Sequence, residues 1–280
     1  MSYTFIKSNA KINIHLGVLN RMQNHMHEIE TIAFLINLHD KIYIKEFYGK
    51  THKIKFYGKF SKGISNQNTV SKLFKLLDDL NLLNNKKFII KIEKNIPLKS
   101  GMGGGSMNAA SLLNYFIKKF KLKINTNTIH DICNKIGSDV ILGLKKNKIS
   151  IISNNQISYR NNKIKYNLLI VKPNYGCNTR RIYNEVKNFS LPLIKNKKKV
   201  NIYNFKNFKN DLETSVFRVY PNLLKLKKNI SNFPNISLVR MTGSGSALIA
   251  YYNKRKDAQH GLNLIKKNYK KCWCILSKAI

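Results

Sequence analysis

Acidic residues are scarce in this chain of 280 residues: 13 Asp and Glu stand against 51 Lys and Arg, for a formal net charge of +38 at pH 7. That imbalance alone would point to a nucleic acid or an anionic membrane surface. Its makeup argues otherwise. The chain holds 44 Lys but only 7 Arg, together with 38 Asn and 35 Ile, so three residue types with A- and T-rich codons fill 117 positions. Drift in an AT-rich genome, replacing Arg by Lys and tolerant surface positions by Lys or Asn, accounts for this pattern. Readers of phosphate and base edges favour the bidentate fork of Arg, and the Arg residues make no cluster beyond Arg180-Arg181. A nucleic-acid partner is therefore not expected.

Cysteine is sparser still. Cys133, Cys177, Cys272 and Cys274 form no CxxC pair and have no His at zinc spacing, which excludes a disulfide framework or a structural zinc and suits a reducing cytoplasm. No run of 18 apolar residues exists, so no spanning helix is expected. The opening MSYTFIKSNAKINIHLG lacks the charged-then-apolar layout of a signal peptide. These absences lead to the expectation of a soluble, cytoplasmic protein without a membrane partner. At 32.4 kDa the chain has room for one large domain or two smaller ones.

Strand and helix signals alternate without repeats. Residues 41–47 (KIYIKEF), 53–57 (KIKFY) and 88–93 (FIIKIE) carry the period-two alternation of half-buried strands. Val70, Leu73, Phe74, Leu77 and Leu80 place one apolar stripe on a helix starting near Asn68. A second helix is expected from Ser106, burying Ala109, Leu112, Leu113, Phe116 and Phe120. A third carries Ile129, Ile132, Cys133 and Ile136 and stops at Gly137. The pattern restarts beyond Asn154 with a strand at 168–172. A helical stretch at 220–226, strands at 237–241 and 247–252, a helix at 256–268 and a strand at 272–276 follow. The expectation is an α+β protein in two halves, 1–153 and 154–280, with a return of the final strand to the first half left open. The lysine run at 195–199 (KNKKK) reads as a solvated loop.

Glycine is uncommon too, at 14 residues, yet four fall within the five positions from Gly101 to Gly105. Such a cluster persists where the backbone needs unusual dihedrals or where a ligand must touch it. Placed between a strand and a helix, it offers free N–H groups and the positive end of the helix dipole to a polyphosphate. The loop is not a P-loop, because Met107 rather than Lys follows GMGGGS. Nor is it a Rossmann loop, whose third glycine would fall at Ser106.

The segment Pro97-x-x-x-Gly-Met-Gly-Gly-Gly-Ser-x-Asn-Ala-Ala110 resembles the central motif of the GHMP small-molecule kinases. Ala10-Lys-Ile-Asn-Ile-His-Leu16 is similar to that family's first motif, and Val239-Arg-Met-Thr-Gly-Ser-Gly-Ser-Ala247 to its third. His27-Glu-Ile-Glu-Thr31, Gly137-Ser-Asp-Val140 and Asn210-Asp-Leu-Glu213 resemble the branch that acts on a cytidine diphosphate-linked methylerythritol in the non-mevalonate isoprenoid pathway. The resemblance implies the two-domain GHMP kinase fold, with a ribosomal protein S5-like N-terminal domain and a ferredoxin-like C-terminal domain. It also implies ATP as phosphoryl donor, accompanied by Mg²⁺, and that small molecule as acceptor.

Carried onto this chain, the resemblance makes Asp139 the group that activates or orients the acceptor hydroxyl and Lys11 its cationic neighbour. Pro97, Gly101, Gly103, Gly104, Gly105 and Ser106 would hold the phosphates, and Asn68 would lie near the nucleotide base. On the acceptor side, His27 would read cytosine and Asn13 would contact the substrate. Tyr183 would stack on the base, and the turn of Gly243, Ser244 and Gly245 would complete the site. The chain departs from the family pattern at Met26, where an aromatic is usual, and at Met107, where a small polar residue is usual. Metal ligands are not indicated. Two other readings stay open at this point: a GHMP kinase for mevalonate, phosphomevalonate or homoserine, and a basic nucleic-acid-binding protein on a related fold.

Overall fold

A computed structural model describes residues 2–23, 26–161, 164–197, 200–201 and 207–280. Of the lysine run, residues 195–197 belong to no helix or strand, while Lys198 and Lys199 lie outside the described residues. The chain divides into two compact units, one of Met1–Lys11, Leu38–Leu98 and Gly103–Lys146, the other of Ile12–Asn37, Lys99–Met102 and Asn147–Ile280. Two long strands, β1 (Thr4–Arg21) and β2 (His27–Phe47), run through both.

In the first unit β4 (Lys87–Glu93) pairs antiparallel with the end of β2, Lys41 opposite Glu93 through Phe47 opposite Lys87, and parallel with β3 (Lys53–Tyr57). Alternation sends Ile42, Ile44, Phe88, Ile90 and Ile92 inward. Helix α1 (Thr69–Asp79) buries Val70, Leu73, Phe74 and Leu77. Leu80, expected on the same stripe, is the C-cap and is 48 % exposed, because the helix ends at Asp79, one residue before it. Helix α2 (Gly104–Lys119) supplies Leu112, Leu113 and Phe116, and Phe116 meets Phe88 edge-on at 4.9 Å. The helix opens two residues before Ser106, since Gly103 in the left-handed region (φ +66) ends the loop and Gly104 and Gly105 form the first turn. Helix α3 (Thr126–Ile136) buries Ile132, Cys133 and Ile136 and stops at Gly137, and a 3-10 turn at Val140–Gly143 follows.

The second unit contains a hairpin of β5 (Lys148–Ser153) and β6 (Gln156–Asn161), closed by Asn154 and Asn155 at φ +50 and +54. Left-handed φ at both central residues is the geometry of a two-residue hairpin turn, which Asn tolerates. β5 also pairs with residues 31–33 of β2. A four-stranded antiparallel sheet runs in the order β10 (Trp273–Lys278), β7 (Asn167–Lys172), β9 (Leu248–Tyr252), β8 (Ile236–Met241). Beyond β10, Ala279 bridges Ile36 of β2. The remaining helices are α4 (Thr179–Asn184), α5 (Leu212–Val219), α6 (Pro221–Ser231) and α7 (Arg255–Asn268). Val216, Leu223, Ile230, Leu262 and Ile265 from α5, α6 and α7 form one core with Leu169, Val171, Leu248 and Tyr252 of the sheet.

A buried ion pair fixes the turn leading out of β4. Asp40 is fully buried; its carboxylate accepts from the N–H groups of Asn95 (2.7 Å) and Ile96 (2.8 Å) and pairs with Lys94. Burial outweighs the pull of Asp40 on Lys94 and lowers the lysine pKa. Removing one partner strands the other charge, so Asp40→Ala is expected to cost about 3–5 kcal/mol in urea unfolding, with much of the loss recovered in Asp40→Ala/Lys94→Met. A double variant no more stable than the single one would refute this account of the pair.

Candidate active site

The chemistry of the first unit gathers where α2 begins. Lys11, only 2 % exposed, reaches Asp139 with Nζ 3.1 Å from Oδ2. Asp139 immediately precedes the 3-10 turn but does not cap it, so its carboxylate is turned to the lysine. Gly103 fits tightly against this pair: a Cβ there would lie 3.0 Å from Lys11 Cγ and 3.6 Å from Asp139 Oδ2. Beyond Gly103, the N-terminus of α2 has no side-chain cap and no acid in its first turn. Its backbone donors therefore face outward as an anion cradle. Thr69 Oγ1 donates to the Gly105 carbonyl at 2.7 Å, and Lys94 Nζ lies 3.3 Å from where a Gly104 Cβ would sit. Ser106 Oγ is 3.9 Å from the corresponding point on Gly137.

Other expected residues of this unit have local tasks as well. Asn68 caps α1: its Oδ1 accepts from Val70 N (2.9 Å) and Ser71 N (3.1 Å), while its amide donates to the carbonyls of Ser65 and Asn66. That cap sets Thr69, the next residue, against Gly105. Pro97 is buried. Met107 is buried too, packed where a side chain on Gly143 would meet its sulfur at 3.0 Å, which explains an apolar residue after Ser106.

In the second unit two glycine turns meet backbone to backbone. A Cβ on Gly101 (φ +76) would come within 1.9 Å of the Thr242 carbonyl oxygen, and one on Gly243 (φ +53) within 2.7 Å of the Gly101 oxygen. Ser246 N and Ala247 N donate to the carbonyls of Lys99 and Ser100. Asn210 Nδ2 holds the Gly243 carbonyl at 2.8 Å, and Ser244 Oγ lies 2.8 Å from Thr179 Oγ1. Gly245 (φ +82) closes the turn by donating from its N–H to the Thr242 carbonyl. Asn13 is buried, with its Nδ2 on Thr31 Oγ1 (2.8 Å) and its N–H on Thr242 Oγ1 (3.0 Å).

The same unit brings two rings together. His27 at the start of β2 and Tyr183 on α4 lie 5.1 Å apart between centroids at 38°. Burial, with a smaller push from Arg21, lowers the His27 pKa, so the imidazole is neutral at pH 7 and offers one donor and one acceptor. Met26, beside it, is 56 % exposed.

Comparison with known proteins gives the family. The GHMP kinases N terminal domain matches residues 68–146 and the GHMP kinases C terminal domain residues 191–271. The 4-diphosphocytidyl-2-C-methyl-D-erythritol kinase of Pelagibacter ubique is 48 % identical over 278 residues, 98 % of each chain. The chain belongs to the 4-diphosphocytidyl-2-C-methyl-D-erythritol kinase family of GHMP kinases. The Petrotoga mobilis member is 31 % identical over 87 % of this chain and 96 % of its own. A solved 4-(cytidine 5'-diphospho)-2C-methyl-D-erythritol kinase superposes with a TM-score of 0.77 at 19 % identity, covering 99 % of this chain and all of that one. Homoserine kinase from Cytophaga hutchinsonii superposes at 0.72 and 14 % identity, covering 100 % and 95 %. At such identities these two structures establish the fold, which is the two-domain α+β fold of GHMP kinases. ATP use goes with membership of this kinase family, and no described helix is long and apolar enough to cross a membrane.

Sequence reasoning brought together Lys11 with Asp139 and His27 with Tyr183. It missed Asp40, Lys94, Thr69 and Glu30. The scarcity of acids was a usable signal for Asp40 and Glu30, whereas nothing marks Lys94 among 44 lysines. The contact between the glycine turns gives a direct test. Gly101→Ala combines a left-handed φ with a backbone clash and is expected to cost about 2 kcal/mol or more, against about 1 kcal/mol for Gly63→Ala, where φ is +85 but the surrounding space is open. Equal losses in thermal unfolding would contradict the packing described.

Proposed function

We propose that this protein transfers the γ-phosphoryl group of ATP to the C2 hydroxyl of 4-diphosphocytidyl-2-C-methyl-D-erythritol, releasing ADP and the 2-phosphate. The observation that carries the reading is the pairing of buried Lys11 with the partly exposed Asp139, set against the uncapped, glycine-built start of α2, in a chain 48 % identical to a kinase of that name. Phosphoryl transfer needs a phosphate cradle, a group that takes or orients the hydroxyl proton, and positive charge near the transferring group. Asp139 accepts the hydroxyl proton as the new O–P bond forms and the bond to the β-phosphate oxygen breaks. Lys11 orients that carboxylate and faces the charge spreading over the phosphoryl oxygens.

Gly101, Gly103, Gly104, Gly105 and Ser106, with Pro97 stiffening the approach, hold the phosphates, and Asn68 sets the start of α1 on the nucleotide side. The Ser106 hydroxyl would hold a phosphate-borne Mg²⁺, which when bound neutralises charge across the β- and γ-oxygens. Among the described residues no three His, Cys, Asp or Glu side chains gather into a site of their own. His27 reads the cytosine edge, Tyr183 stacks on the ring beside Met26, and Asn13 with Gly243, Ser244 and Gly245 shapes the rest of the acceptor site. The two catalytic domains fall in residues 1–153 and 154–280, and a cytoplasmic setting suits four free thiols, of which Cys133 is pushed up to about 12 by burial.

The test is an ADP-release assay. Wild-type protein is expected to turn over the cytidyl substrate, and Asp139→Asn to lose about 10²–10⁴-fold in kcat while keeping its folded circular dichroism spectrum, with a melting temperature lowered by the loss of the Lys11 counter-charge. No turnover by the wild type, full turnover by the variant, or preference for mevalonate or homoserine would overturn the assignment.

A further inference from the structure

Phe189 is an exposed aromatic next to a tethered stretch of backbone. It is 44 % exposed, and its ring lies 6.3 Å from that of His27 at 41°, so the imidazole has a second aromatic neighbour besides Tyr183. The stretch that follows it is tied down at several points. Ser190 N donates to the Val18 carbonyl at 2.9 Å, and Lys209 Nζ reaches Ser190 Oγ at 2.7 Å. Leu193 N and Ile194 N donate to the two carboxylate oxygens of Glu30 at 2.6 and 3.0 Å. Glu30 is itself fully buried and lies 3.0 Å from His15 Nε2. Burial raises its pKa, but the bonds from His15, Leu193 and Ile194 outweigh that and leave it lowered, so the carboxylate clasp stays charged at neutral pH.

A large apolar ring held at the surface beside a neutral imidazole is suited to a flat heteroaromatic ligand, which gains from the ring face while the imidazole meets its polar edge. Met26, the residue before His27, brings a flexible thioether rather than a ring. We infer that Phe189 is a further substrate-binding residue that supplies an aromatic face to the cytosine ring of the substrate. The inference rests on the proposed function, in which a cytidine-bearing molecule binds at His27 and Tyr183. Stacking of a base on an aromatic side chain corresponds to roughly five- to a hundredfold in affinity and tolerates any base.

The test is calorimetric titration with cytidine 5'-diphosphate while the ATP site is filled by a non-hydrolysable ATP analogue. Phe189→Ala is expected to bind about tenfold or more weakly, Phe189→Tyr to stay near the wild type, and Leu191→Ala, 90 % exposed on the same stretch, to be unchanged. Uridine 5'-diphosphate should weaken by a similar factor in Phe189→Ala. If the wild type binds and Phe189→Ala binds equally, or if Leu191→Ala loses as much as Phe189→Ala, the inference fails while the proposed reaction stands. If the wild type binds no cytidine 5'-diphosphate, the substrate reading fails and the inference with it.

Discussion

A lysine ammonium buried to 2 % exposure needs a counter-charge, and Lys11 has Asp139 at 3.1 Å. Taking that ammonium out of water costs several kcal/mol unless the geometry returns it, so this pair constrains what surrounds it. Gly103 must be glycine, because its φ is left-handed and a Cβ would press on the lysine stem. Asp139 must leave the 3-10 turn uncapped. With Gly103 as the residue that ends the loop, α2 begins without a side-chain cap, and its first backbone donors remain available to an anion. The features read as a phosphoryl-transfer site are thus linked through one ion pair.

The same reasoning extends to other acids. Asp40 holds the N–H groups of Asn95 and Ile96, Glu30 those of Leu193 and Ile194, Glu213 that of Met241, and Asp211 that of Val18. Each joins segments distant in sequence by accepting from a backbone donor that would otherwise be left unmatched, which is costly in a buried place. Among the 13 acids of the chain, these four thus accept from backbone N–H groups of distant segments, a task for which a Lys side chain has no acceptor.

Legibility in the sequence followed exposure. Elements with one wet face, such as α1, α3 and β3, showed their period and were placed within a residue or two. Strand β1 was not recognised because both its faces are buried: Ala10, Ile12, Ile14, Leu16 and Val18 fill one, while Lys11, Asn13 and His15 are buried on the other with polar partners. Its signal was the even-numbered apolar series. The β5–β6 hairpin was missed because Asn154-Asn155 closes it without the usual glycine, and α4 and α5 are too short to show a period. At the candidate site the glycine cluster and Asp139 stood out by scarcity. Phe189 had no motif to mark it, and its interest comes from the bonds that hold its neighbours.

The large positive charge, in turn, names no partner. Lysine is spread along the whole chain, and the cations that matter at the candidate site, Lys11 and Lys94, are two buried ones. The central claim is that Asp139 receives the acceptor hydroxyl. The most direct measurement is a crystal structure of the protein with a non-hydrolysable ATP analogue and the cytidyl substrate bound together. The account predicts the C2 hydroxyl oxygen about 2.6–3.2 Å from a carboxylate oxygen of Asp139, with phosphate oxygens on the first N–H groups of α2. A hydroxyl directed to another side chain, with Asp139 still engaged by Lys11 alone, would contradict it.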